Sequence, residues 1–256
     1  MRNGLQRILA TTTLTLTLGV TMDADAGLWG HTKGWKEEVV LHDGRVLVVE
    51  RHFNLGGYPT PDAHERALID QTITFMLPDS NKKISWKTEY KNDVPEPNSL
   101  SPLLLDVVGG VPYLATSPAG CIAYNKWGRP NPPYVLFKYA DGAWQRISLQ
   151  EFPAELTRAN LMPTPATSLL KPYYTVAAAK TERESGNMSA YAKTILREAV
   201  KDGGDSGCPD LIRTGNGWKS IDWFSNQPSL EACLKFCSKE GVSLKSCPCS
   251  SIFRGK

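Results

Sequence analysis

Thr72-Ile-Thr-Phe-Met-Leu77, the polar run Pro78-Asp-Ser-Asn81, and Ile84-Ser-Trp-Lys-Thr-Glu-Tyr90 form the stretch that decides the fold. Ile73, Phe75 and Leu77 share one side of the first run. Ile84, Trp86 and Tyr90 share one side of the second, against Lys83, Ser85, Lys87 and Glu89. A period of two is the signature of a strand with one wet and one dry face. Two such runs around a short polar turn predict an antiparallel hairpin.

Three further hairpins follow the same pattern. Trp35-Lys-Glu-Glu-Val-Val-Leu41 and Arg45-Val-Leu-Val-Val-Glu50 flank Asp43-Gly44. Asp-Gly between apolar runs predicts a type I′ turn with both central residues at positive φ. Leu103–Val108 and Val111–Thr116 flank Gly109-Gly110, and Tyr134–Tyr139 and Trp144–Leu149 flank Asp141-Gly142. Eight strands make only two propeller blades, and a closed propeller needs about four. The expectation is a mainly β fold: an antiparallel sandwich or barrel of about eight strands over residues 27–152, followed by a small disulfide-stapled α/β tail.

After Phe152 the character changes. Residues 153–207 read as linker and helix: a Pro-, Thr- and Ala-rich irregular stretch to residue 180, a helix over Ser189–Val200, and a joint at Gly203-Gly204. Residues 208–256 form a cystine-rich tail holding five of the six cysteines. Pro228–Gly241 predicts a helix, with Ser229 as N-cap and Gly241 as left-handed C-terminal cap. Cys233 and Cys237, four apart, share a face of it. Val242–Cys247 is expected to be extended, which would set Cys247 and Cys249 on one face of a strand.

This C-x3-C and C-x-C spacing resembles part of the cysteine-stabilised αβ motif of small toxins and defensins. The resemblance implies the bridges Cys233–Cys247 and Cys237–Cys249. Cys208 would pair with Cys121 or stay free. A four-thiolate metal site and a C-x-C redox centre are the competing readings of the same residues; the disulfide reading is preferred, with no metal and no cofactor expected. A bridge over a loop this short contributes about 3 kcal/mol in the chain-entropy account.

The N-terminus agrees with an oxidising destination. Arg2 and Arg7 precede the apolar, Thr-rich run Ile8–Val20, and Ala24-Asp-Ala26 offers a cleavage site, so residues 1–26 read as a signal peptide. The run is too short to span a bilayer, which takes about 20 residues, and no later segment is apolar enough. A location in the periplasm or outside the cell follows as the expectation. The net charge is +3, and the tail alone carries seven basic against four acidic residues, leaving the body near neutral. That is too weak and too diffuse for nucleic acid.

Cys121–Tyr134 is the densest candidate for recognition. Its prolines stiffen the backbone, and Asn125, Lys126, Trp127, Arg129 and Tyr134 are the binding residues it would present. Tyr124–Tyr134, Phe137-Lys-Tyr139, Trp144-Gln-Arg146, Trp35-Lys-Glu-Glu38, His42–Arg45 and Thr194–Glu198 resemble a family of uncharacterised exported bacterial proteins, over about residues 35–200. The resemblance implies export and carries no activity. His31, His42, His52 and His64 show no metal-ligand spacing. No G-x-S-x-G or phosphate loop occurs, and Glu37 and Glu38 point to opposite strand faces, which disfavours a joint acid–base role. The expected function is a non-enzymatic binding or interaction protein of the cell envelope, its partner an unknown protein or envelope component and its oligomeric state open. The alternatives are an exported hydrolase of envelope polymers, or a toxin- or inhibitor-like activity in the tail.

Overall fold

The four hairpins read from alternation form two antiparallel sheets in the computed structural model, which describes residues 31–56, 67–80, 82–88, 100–185, 189–201 and 207–254. β1 (His31–Val40), β2 (Val46–Gly56), β3 (Ala67–Met76) and β4 (Lys83–Thr88) lie in sequential order in the first sheet. β5 (Leu100–Val108), β6 (Val111–Pro118), β7 (Val135–Ala140) and β8 (Ala143–Ile147) lie in sequential order in the second. A two-residue strand, β9 (Tyr173–Tyr174), adds to β1 in parallel. The expected leader, His64, Tyr90 and the Gly203-Gly204 joint lie outside the described residues.

The turns obey two rules. Gly109 and Gly110 both have positive φ, as do Asp141 and Gly142. At the first hairpin only Gly44 does, at 86°. There Leu41 N–H donates to the Arg45 carbonyl at 2.8 Å, so the loop holds three residues rather than the two of a type I′ turn. The Asp43 carboxylate accepts from the Arg45 N–H and from its Nε, which stabilises this longer loop.

Side-chain alternation builds the core. Val39, Val49, Ile73, Phe75, Ile84 and Trp86 of the first sheet meet Leu105, Val107, Leu114, Val135 and Phe137 of the second. This is the interior of a sandwich. The second sheet is dry on both faces: Leu104, Ala115, Leu136 and Ile147 turn outward onto Phe152, Leu156, Ala192 and Ile195. The segment expected to be a linker therefore covers the outer face of that sheet. Its irregular part together with the three residues before it, hereafter the strap (residues 150–172), contributes Leu156, Leu161 and Met162 to three different apolar clusters. Asn160 stitches it to the edge strand β5, accepting from Leu105 N–H at 2.9 Å and donating to the Leu105 carbonyl at 2.8 Å. Arg197 donates to the carbonyls of Leu149, Phe152, Pro153 and Leu156, gathering the start of the strap.

The helices are short. α1 (Cys121–Lys126) interrupts the β6–β7 connection, and α2 (Val176–Ser185) packs against the first sheet through Ala179. The expected helix over Ser189–Val200 shrinks to α3 (Ala190–Lys193). Thr194 leaves the helix to form a β-bridge with Arg158 of the strap, and Ile195 is drawn under the second sheet. Tertiary packing overrides the helical propensity there.

The tail is a hairpin, β10 (Leu211–Thr214) and β11 (Gly217–Ser220), with α4 (Asp222–Ser225), α5 (Leu230–Lys239) and α6 (Cys249–Ile252). Both caps of α5 form as expected: the Ser229 side chain accepts from Ala232 N–H at 3.1 Å, and Gly241 has φ 68°. The expected strand around Cys247 is instead a turn leading into α6. The bridges are Cys233–Cys249 and Cys237–Cys247, with Cys121–Cys208 joining tail to body. This corrects the pairing that the αβ-motif resemblance implied. The chain reverses after α5 and runs back along it, so the first returning cysteine meets the last helical one and the pairs nest. The sulfurs of Cys237, Cys247 and Cys249, close enough to suit a metal as free thiols, are consumed by these bridges.

Partial reduction with stepwise alkylation, followed by peptide mass analysis, is expected to recover Cys121–Cys208, Cys233–Cys249 and Cys237–Cys247. Replacing Cys121 and Cys208 by Ser opens a loop of sequence separation 87. That is expected to cost about 4–5 kcal/mol of stability, read from denaturant midpoints.

Candidate functional site

An arginine and a glutamate stand on the dry face of the first sheet. Leu47, Val49 and Phe53 of β2 share that face with Arg51, and Trp35 and Val39 of β1 share it with Glu37. Both charged side chains are 0% exposed. They sit where the second sheet stops and the strap takes over as cover, beside Met162 and Tyr174.

Every contact of the pair ties one element to another. Arg51 Nη1 donates to Glu37 Oε1 at 2.8 Å and to the Met162 carbonyl at 3.3 Å. Nη2 donates to Gln71 Oε1 on β3 at 2.8 Å, and Gln71 Nε2 donates onward to Thr164 Oγ1 at 2.8 Å. Met162 N–H donates to the second Glu37 oxygen at 2.9 Å. The guanidinium stacks on the Trp35 ring at 4.7 Å. Burial pushes the Glu37 carboxyl up, with Arg51 opposing, and pulls the Arg51 guanidinium down, with Glu37 opposing. Two donors of this cluster, Arg51 Nε and Trp35 Nε1, are buried without an acceptor among the described residues.

A cleft of about 400 Å³ opens above this network. Arg51 closes its base, while Ser101 and Ser117 of β5 and β6, Thr164 of the strap, and Ser189 and Tyr191 at the start of α3 form its walls. Four hydroxyls, a phenol and a buried cation thus converge on one concavity. Hydroxyls both donate and accept, and Arg51 can only donate, so the cleft suits a polar guest rich in acceptors.

The residues singled out in the sequence take other places. Asn125 donates to the carbonyls of Cys121 and Pro209 and accepts from Leu211 N–H at 3.0 Å. Arg129, at φ 51°, donates to the carbonyls of Cys208 and Pro209 and pairs with Asp210 at 3.1 Å. These two residues dock the tail beside the Cys121–Cys208 bridge. Trp127 is partly buried, edge-on to Phe137 at 6.0 Å and covered by Arg146. Tyr134 is 5% exposed. Its hydroxyl accepts from Leu196 N–H and faces the carbonyls of Tyr191 and Thr194, and burial pushes its pKa up to about 12. Lys126 alone of the set is exposed. The stiff loop faces inward because its polar atoms find backbone partners in the tail and around α3.

Glu37 and Glu38 do point to opposite faces. Glu38 accepts from Val176 N–H and from the Tyr173 hydroxyl, which holds its carboxyl below the usual range. One histidine has a carboxylate partner that the sequence did not suggest. His42 Nδ1 lies 2.7 Å from Asp106 Oδ1, and His42 N–H donates to Asp106 Oδ2 at 2.8 Å. Asp106 is 3% exposed. The Asp106 bond raises the His42 pKa, with partial desolvation opposing it.

Compared with known proteins, the chain matches no family model, no curated protein and no solved structure. The missed site residue with a readable signal is Arg51, the single cation interrupting the alternating apolar face Leu47, Val49, Phe53. Thr164 and Ser189 carry no such signal.

Arg51→Met alone strands the Glu37 carboxylate and is expected to cost about 3–5 kcal/mol in chemical denaturation. The Glu37→Leu/Arg51→Met double variant is expected to recover most of that loss. His42 gives a pH dependence with a definite sign. Its folded pKa is raised above 6.5, so its stabilisation is complete below the unfolded value and is lost as pH rises through the folded one. The denaturation midpoint of the parent, relative to His42→Gln, is therefore expected to fall as pH rises from about 6 to about 8.

Proposed function

We propose that the protein is exported and acts as a non-enzymatic binding protein of the cell envelope, taking a polar ligand, or a polar group of a larger envelope component, into the cleft closed by Arg51. One observation carries this reading: hydroxyls from two strands, the strap and the start of α3 converge over the buried Arg51. Pockets of this size with a few convergent polar groups are the usual form of a small-ligand site. The three disulfides fit an oxidising compartment, periplasmic or extracellular. No helix among the described residues is long and apolar enough to cross a membrane. The tail is a stabilised accessory locked to the body by Cys121–Cys208.

A second reading, an exported hydrolase, is favoured by the His42–Asp106 pair, in which a buried carboxylate orients an imidazole as in a general base. The pair lies beyond the Val40 end of β1, whereas Arg51 stands opposite Trp35. Neither His42 nor Asp106 lines the cleft, so pair and cleft do not share a site.

The test uses the oxidised protein with a panel of envelope-derived glycan and peptide fragments, read by thermal shift and calorimetry. Ser101→Trp places a strand-compatible side chain in the cleft mouth. It is expected to abolish binding, while His42→Gln leaves binding intact. Binding that survives Ser101→Trp would discard the cleft. Turnover of an esterase, protease or glycosidase substrate that disappears in His42→Gln would replace the binding reading with the hydrolase.

A further inference from the structure

A second concavity, of about 260 Å³, lies on the far side of Ala192, which lines both clefts. It is built from three elements. α2 contributes Lys180, Arg183 and Glu184, which fall on one helix face at this spacing. The strap contributes Arg158, and the end of α3 contributes Lys193. Leu161, 2% exposed, and Ala192 supply an apolar floor. Four cations thus surround one acid, in a body whose total charge is near neutral.

We propose that this second cleft binds a multivalent oxyanion of the phosphate class. The acid is already engaged, since Glu184 pairs with Lys180 at 3.8 Å. Arg183 is held by a 2.8 Å bond from Nη1 to the Asn160 carbonyl, which fixes its guanidinium at the wall. Arg158 and Lys193 have no acidic partner among the described residues. Their backbones are nonetheless set side by side: Arg158 bridges Thr194, and Ala159 N–H donates to the Lys193 carbonyl at 3.0 Å. The fold therefore brings like charges together on a preformed frame and leaves two of them uncompensated. Their mutual repulsion is relieved by a guest carrying more than one negative charge. Guanidinium forks match the oxygen geometry of phosphate, and two lysines add point charges around it. The apolar floor admits the carbon skeleton of a phosphate ester. The guest is either a free phosphorylated small molecule or a phosphate group of an envelope polymer, and the chemistry at the cleft is shared.

The experiment is calorimetry on the full oxidised chain at low salt, with pyrophosphate in one arm and a glycerol-phosphate polymer in the other. The result expected is binding in at least one arm that weakens with added chloride. Arg158→Glu/Lys193→Glu, at two exposed positions, is expected to weaken it by about tenfold or more. Lys245→Glu, an exposed charge reversal in the tail, is expected to leave it unchanged. Binding of pyrophosphate alone supports the free ligand, and binding of the polymer supports the envelope source. No binding in either arm overturns the proposal, as does binding that Arg158→Glu/Lys193→Glu and Lys245→Glu affect equally. Ser101→Trp blocks the other cleft only, so phosphate binding that persists in that variant separates this site from the function proposed above.

Discussion

Burying an ion pair sets the terms for the body of this protein. Arg51 and Glu37 are removed from water on a sheet face that is otherwise apolar. Desolvating each ion costs several kcal/mol, and attraction between the two offsets this only when the remaining polar atoms are also bonded. Here Gln71 on the third strand and Met162 in the strap supply most of that bonding, and of the pair only Arg51 Nε is left without an acceptor among the described residues. The strap must lie where it does because the pair needs its backbone groups. Once placed, it covers the first sheet, seals the edge of β5 through Asn160, and forms a wall of each cleft.

The second constraint is covalent. The tail is small, and its own apolar cluster centres on Phe224, Val242 and the bridged cysteines. A core of that size is marginal without staples. Two nested bridges hold it internally, and Cys121–Cys208 holds it to α1. Asn125 and Arg129 then satisfy the backbone around that bridge. The residues most suggestive of recognition are spent on this docking. Aromatics, cations and prolines in a stiff loop are as useful for holding one part of a chain against another as for holding a partner.

Hairpins were legible because alternation and turn chemistry are local. Ile73, Phe75, Ile84 and Trp86 face inward for the same reason that they alternate in sequence. The caps of α5 were legible for the same reason, since Ser229 and Gly241 act within a few residues of their own position. Long-range roles left weaker traces. Arg51 breaks an apolar face visibly, yet its partners Gln71 and Met162 lie 20 and 111 residues away. Arg197 reaches back 41 to 48 residues to four carbonyls, and nothing near it announces that. The shortened helix at Ala190 reflects the pull of the second sheet on Ile195, which no propensity records.

What the sequence by itself determined was the eight long strands of the body, their pairing within four antiparallel hairpins, and the presence of a cystine-stapled tail. Each rests on spacing along the chain, where backbone geometry alone says which side chains share a face. The tertiary structure alone decided which cysteines join, that the Pro-rich stretch is a buried strap, and that two polar clefts flank it. Those outcomes depend on which surfaces remain uncovered after the sheets have packed, and on which backbone groups a buried charge then requires.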